Sequence, residues 1–145
     1  PAFEHQLTCI VPAGHPFAAR RSVDAKQIAT ERLILLDPSS LTRQRIDDWF
    51  RRHRCESRPF MELGSFEVIK RYVAEGLGIS LVPQAVLYGH GDEIVSVPLK
   101  QPLSVSVGIV YRSDRKLPRA AMAFLTMAND FFSSLPPLNG GAARN

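Results

Sequence analysis

Two short corners of this chain hold residues suited to binding. Ser39, Ser40 and Thr42 lie in the run DPSSLT, and Gly64, Ser65 and Phe66 follow an apolar run in MELGSFE. Both read as helix starts, where the first N–H groups have no partner within the helix. A hydroxyl at the cap accepts one of them. Such a corner either satisfies itself or offers its remaining donors to an anion. Bond-making chemistry finds no comparable arrangement. GxSxG, GxxxxGK[ST] and HExxH are missing, and His5, His15, His53 and His90 fall in separate stretches without ligand spacing. Cys9 and Cys55 have no metal spacing and read as unpaired buried thiols. His15, in a Gly-His-Pro turn, suits a bond to local backbone, and Asp47 and Asp48 read as solvated. Gly76-x-Gly78 follows a helix, so it lacks the strand context of a dinucleotide fingerprint. No enzyme activity, metal or cofactor is predicted.

The elements that must position these corners follow from period and punctuation. Apolar strands are expected at 7–12, 32–36, 58–63, 78–83, 94–97 and 105–111. A short helix runs from Asp24 to Ala29 with Ser22 as its cap. Ile46, Trp49, Phe50 and His53 fall at i, i+3, i+4 and i+7, which predicts an amphipathic helix from Leu41 to about Arg54, capped by Ser39 or Ser40. The next helix carries Val68, Ile69, Tyr72 and Val73, with Ser65 as cap and Gly76 as left-handed stop. One or two helical turns at 84–88 precede the Gly89-His90-Gly91 break. A last helix starts near Pro118, with Ala120, Phe124, Met127, Ala128 and Phe131 on one stripe up to Phe132. Residues 136–145 read as a disordered tail. Strands alternating with helices, and apolar without polar alternation, predict an α/β sandwich around a mostly parallel sheet buried on both faces. Ligands of such sheets bind beyond the carboxyl ends of strands, where both corners fall.

The 145 residues are 45% hydrophobic and 22% charged, which suffices for one sizeable core. No apolar run nears the ~20 residues of a membrane span, and PAFEHQ is unlike a signal peptide, so a soluble, cytoplasmic chain is expected. Because it begins at Pro1, an upstream segment is expected. The net charge of +4 invites a nucleic-acid reading. However, the basic residues are scattered (Arg20-Arg21, Arg43 and Arg45, Arg51-Arg52, Arg54, Arg112) with acids interleaved, which favours a solvated surface or a modest preference for an anionic ligand.

Three strings, VPAGHPFA at 11–18, SSLTRQRIDDWF at 39–50 and GSFEVIKRYVAEGLGISLVPQAV at 64–86, resemble in order and spacing the effector-binding domain of LysR-type transcriptional regulators. VSVGIVYR at 105–112 and the helix after it are similar to that family's closing strand and terminal helix. The resemblance implies a two-lobed, periplasmic-binding-protein-like (type 2) fold: 7–11 and the strand from Val105 cross between lobes, 12–104 form lobe two, and 105–135 end lobe one. The family's DNA-binding winged helix-turn-helix, linker helix and most of lobe one have no counterpart here, so DNA would be bound only through that absent part. A small-molecule effector, in one form a carboxylate, would occupy the interlobe cleft. Ser39, Ser40, Thr42, Gly64, Ser65 and Phe66 match cleft-lining loops, with Thr8, Val82 and Pro83 as further wall residues. Each hydroxyl has a second reading as a plain helix cap. Side-by-side dimers, and tetramers of the full-length protein, are implied, with Lys70 and Arg71 on a candidate surface. Ser40 stands about where an oxidant-sensing branch of the family has its reactive thiol, which disfavours a thiol switch. A solute-binding module of a transport system shares the fold and is the alternative.

Overall fold

The computed structural model describes residues 2–89, 91–112 and 114–134. The chain divides into two compact units, 6–105, and 1–5 together with 106–145. The elements, in order, are β1 (Ala2–Pro12), a 3-10 turn (Pro16–Ala19), α1 (Ala25–Ala29), β2 (Leu33–Leu36), α2 (Leu41–Arg52), β3 (Pro59–Leu63), α3 (Phe66–Ala74), β4 (Ser80–Pro83), a second 3-10 turn (Gln84–Leu87), β5 (Ile94–Val97), β6 (Ser104–Gly108) and α4 (Arg119–Ser134).

β2 and β3 pair in parallel, and a parallel bridge from Leu33 to Ile79 leads on toward β4. β1 lies between β4 and β5 and is antiparallel to both, with Thr8 opposite Val82 and Val11 opposite Val95. β6 also pairs with β1. The sheet is therefore mixed rather than mostly parallel. Alternation of strands and helices reports only on consecutive elements, whereas β4 and β5 are about 70 or more residues away from β1 and run against it. Burial on both faces holds for β2 and β4, whose residues are all buried. It fails for β3, which alternates half-buried and exposed residues, for β5, where Val95 is half-buried and Ser96 exposed, and for β6, none of whose residues is buried. Phe60 on β3 is 52% exposed, with the Arg32 guanidinium 3.9 Å from its ring centre.

In the larger unit, the period-2 alternation of β1 and β2 splits the core between two faces. Cys9, Val11, Leu33 and Leu35 pack with Ile28 of α1 and with Ile46, Trp49 and Phe50 of α2. Ile10, Ile34 and Leu36 pack with Ile69 and Val73 of α3 and with Val82. α2 thus buries the stripe its sequence predicts, with His53 as C-cap and its ring bonded to the Trp49 carbonyl. On α3, Val68 of the expected apolar set is 40% exposed.

Helix boundaries follow from the caps. α1 is capped by Asp24 and not by Ser22. The Asp24 carboxylate accepts the Gln27 N–H at 2.9 Å, and the Gln27 side chain accepts the Asp24 N–H at 3.0 Å. Val23 is committed upstream, because its N–H donates to the Pro98 carbonyl and its own carbonyl accepts from Lys100. α3 ends at Gly76, with φ of 76°, where Leu77 N–H reaches back to the Tyr72 carbonyl. α2 ends the same way, except that Arg54, at φ 58°, occupies the left-handed position.

β6 stops at Gly108 rather than reaching Tyr111, and Val110 beyond it is 93% exposed. β1 begins well before Leu7, although Glu4, His5 and Gln6 carry no apolar signal. In the smaller unit, α4 buries Ala128 and exposes Phe124 (63%), Met127 (71%) and Phe131 (60%). His90, the Phe132 side chain and the expected tail at 136–145 lie outside the described residues.

Candidate functional site

The two corners come together within the 6–105 unit. Leu36, Asp37 and Ser40 from one, and Gly64, Ser65, Phe66 and Glu67 from the other, line a pocket of about 420 Å³ that Val86 completes. The parallel pairing of β2 with β3 causes this. Leu36 is registered opposite Leu63, and Asp37 N–H donates to the Leu63 carbonyl at 3.0 Å, so both strands end level and both helices start side by side.

Ser65 caps α3 by accepting the Glu67 N–H at 3.2 Å, and Ser40 caps α2 through a long contact of 3.5 Å with the Arg43 N–H. A cap uses the hydroxyl as acceptor, which leaves each O–H able to donate to a bound group. Asp37 is held below the usual carboxylate range by the Ser39 hydroxyl and then by the Ser39 N–H. The Ser39 hydroxyl is thereby spent on the turn, and Ser39 is exposed beside the pocket rather than lining it. Thr42, half-buried on α2, is not among the lining residues. Thr8 is fully buried, and its hydroxyl is bonded to the Val97 carbonyl (2.9 Å) and to Ser96 (2.8 Å). Val82 and Pro83 are buried in β4. The pocket gathers four of the nine expected residues and leaves out Ser39, Thr42, Thr8, Val82 and Pro83.

Two buried cations brace the pocket from behind. Arg43 Nη1 donates to the Leu36 carbonyl (2.7 Å) and to Glu62 on β3 (2.6 Å), while its Nε donates to Asp47 (2.9 Å). Burial works against this charge, but hydrogen bonds to Glu62 and Asp47 more than offset it, and the Arg43 pKa is raised. Asp47 is consequently not a solvated carboxylate, since it also accepts from Ser57, and Asp48 pairs with Arg51. Lys70 was expected on an exposed face with Arg71. Instead it is buried, donating to the Val86 carbonyl (2.7 Å) and pairing with Glu67 (2.8 Å), so it ties two pocket walls together. Leu36, Asp37, Glu67 and Val86 are the lining residues outside the expected set. Glu67 carried a signal, as an acid in the first turn after a cap. Val86 carried none, because β4 delivers it from outside both corners.

His15 does bond local backbone, its Nδ1 accepting the Phe17 N–H at 3.1 Å. Cys9 and Cys55 are both free thiols. Cys9 is fully buried, and burial, aided by Glu31, pushes its pKa far up, whereas Cys55 is half-buried. Among the described residues no helix is long and apolar enough to cross a membrane.

The mixed sheet flanked by helices, with a ligand-sized pocket at two helix N-termini, defines a binding domain of the periplasmic-binding-protein-like type 2 class. The chain belongs to the LysR substrate binding domain family, whose model matches residues 1–133. This is a family of regulator effector-binding domains and not of enzymes. The HTH-type transcriptional activator CmpR of Synechocystis sp. is 30% identical over 128 residues, which cover 84% of this chain and 41% of that protein. The chain thus spans about two fifths of that relative's length. The regulatory domain of CcmR from Synechocystis PCC6803, solved in complex with 2-PG, has a TM-score of 0.79 at 24% identity, covering 94% of this chain and 68% of that one. The effector binding domain of QuiR, in complex with shikimate, has a TM-score of 0.73 at 19% identity, covering 88% and 61%. These two likenesses concern the fold.

Proposed function

We propose that this chain is the ligand-sensing part of a longer LysR-type transcriptional regulator, and that a small carboxylate-bearing effector binds in the pocket between Ser40 and Ser65. The observation that carries this reading is the convergence of two capped helix N-termini on one pocket, in a fold shared with domains solved in complex with 2-PG and with shikimate. Each helix end favours an anion by about 0.3–1 kcal/mol, and each hydrogen bond to a charged group contributes about 1.5–3 kcal/mol.

Asp37 and Glu67 line the same pocket, so a bare anion would meet like charge at its rim. The effector class that fits places its carboxylate at the helix ends and turns hydroxyl or ammonium donors toward those two acids. DNA binding is assigned to a part of the protein outside this chain, and the whole protein is proposed to act as a dimer or larger oligomer. Titration of the full-length regulator with shikimate and related hydroxy-carboxylates, followed by calorimetry, tests the reading. Ser65→Gly and Ser40→Ala should weaken binding. Unchanged affinity in both variants would reduce the corners to structural caps.

A further inference from the structure

The other cavities of the 6–105 unit differ in how much of their charge is already spent. One holds Asp47, Asp48 and Glu56 against Arg43 and Arg51, an excess of acid. Another gathers Arg51, Arg54 and Arg58, but Asp48 neutralises Arg51 and Glu56 neutralises Arg58. The third, about 210 Å³, lies between α2 and residues 102–104 and is lined by Arg45, Asp48, Trp49 and Arg52. Asp48 is taken by Arg51, and Trp49 Nε1 donates to the Gln101 carbonyl at 3.1 Å. Arg45 and Arg52 have no ion-pair partner among the described residues. Two arginines with no ion-pair partner among the described residues therefore line one small cavity, which holds two cations against the single, already paired Asp48 carboxylate and is walled on one side by a tryptophan that is 3% exposed.

Arg45 and Arg52 stand seven residues apart, two helical turns or roughly 10 Å along the axis, on one side of α2 with Trp49 between them. Side chains of that length converge readily on a group held at the middle. A guanidinium presents a planar fork of donors, and one fork already uses both oxygens of a carboxylate. Two forks approaching from opposite ends suit an anion with three or four oxygens. We infer that this cavity is a second ligand site, separate from the corner pocket, which takes a phosphoryl group or a comparable tetrahedral oxyanion between Arg45 and Arg52. The site stands independently of the effector assignment, because the two pockets share no lining residue.

Trp49 is the only tryptophan in the chain, so its emission reports on this cavity. Titration with inorganic phosphate, against chloride at matched ionic strength, should change that emission saturably. The double variant Arg45→Gln, Arg52→Gln should bind phosphate at least about tenfold more weakly, with an unchanged thermal midpoint because both side chains are exposed. Arg45→Lys with Arg52→Lys, which keeps the charge and loses the forks, should fall between the two and covers the case in which the Gln variant folds poorly. Ser65→Gly should leave the phosphate titration unaltered. Glycerol phosphate run in parallel distinguishes the sources of the same chemistry: equal binding supports the free anion, and tighter binding supports a phosphorylated metabolite. A phosphate response no different from chloride, or parental affinity in the double variant, overturns the site. A phosphate titration altered by Ser65→Gly overturns its independence from the corner pocket.

Discussion

Ser65 has two roles that a single substitution confounds. As the cap of α3 it stabilises the helix, and Ser65→Ala should cost about 1 kcal/mol of unfolding free energy. Ser65→Gly should cost only a few tenths, because glycine leaves the cap N–H groups open to water, yet it removes the hydroxyl as completely. Matched affinity loss with unmatched stability loss in the two variants, measured by calorimetry and by urea unfolding, is the expected outcome. The thiols separate just as sharply. Cys55 is half-buried and should react with an aromatic disulfide reagent in the native protein, while Cys9, shielded and held protonated, should react only on unfolding. Asp37 contributes a pH dependence with a definite sign. Its folded pKa is depressed by Ser39, so its stabilisation is present above the unfolded carboxylate value, near 4. That stabilisation is lost as pH falls through the lower folded value, and Asp37→Asn should flatten this part of an acid titration.

At the scale of elements, close approach and charge decide what each connection tolerates. Gly78 lies where β2 meets the chain entering β4, and a Cβ there would fall 2.3 Å from the Arg32 carbonyl oxygen. That carbonyl also accepts the Ile79 N–H, so it cannot retreat without loss. Gly78→Ala should cost about 1–3 kcal/mol, in the range of overpacked sites, as read from the shift in denaturant midpoint at constant m-value. Arg54 presents the opposite case, a long side chain in the left-handed position that ends α2. Arg54→Gly should stabilise the protein by up to about 1 kcal/mol. Arg43→Met tests the brace behind the effector pocket. Asp47 and Glu62 are partly exposed and can return to water, but the Leu36 carbonyl is buried, so the loss should be about 1–3 kcal/mol.

For the whole molecule, the consequential feature of the smaller unit is α4, which turns Phe124, Met127 and Phe131 outward. Exposed apolar residues grouped on one helix drive association. The chain should therefore self-associate with rising concentration. Phe124→Ser together with Phe131→Ser should shift its sedimentation toward the monomer, whereas substitutions on α2 should not.

The order of strands and helices, the Ser65 cap, the α2 cap to within the pair Ser39 and Ser40, the Gly76 stop and the buried stripe of α2 were legible in the sequence because each rests on local chemistry: a hydroxyl one residue ahead of a helix, a glycine just past one, or apolar residues at a fixed period. The family strings were legible as well, since they are ordered sets of those same signals. What stayed hidden depends on partners far along the chain. The antiparallel setting of β1 is decided by β4 and β5. The burial of Lys70 requires the Val86 carbonyl, the engagement of Asp47 requires Arg43 and Ser57, and the choice of Asp24 over Ser22 requires Val23 to be claimed by residues near 99. A sequence states what each residue can donate, accept or bury. Only the tertiary structure decides which group meets it, because the free energy of a polar side chain is set by the partner it finds once water has been removed.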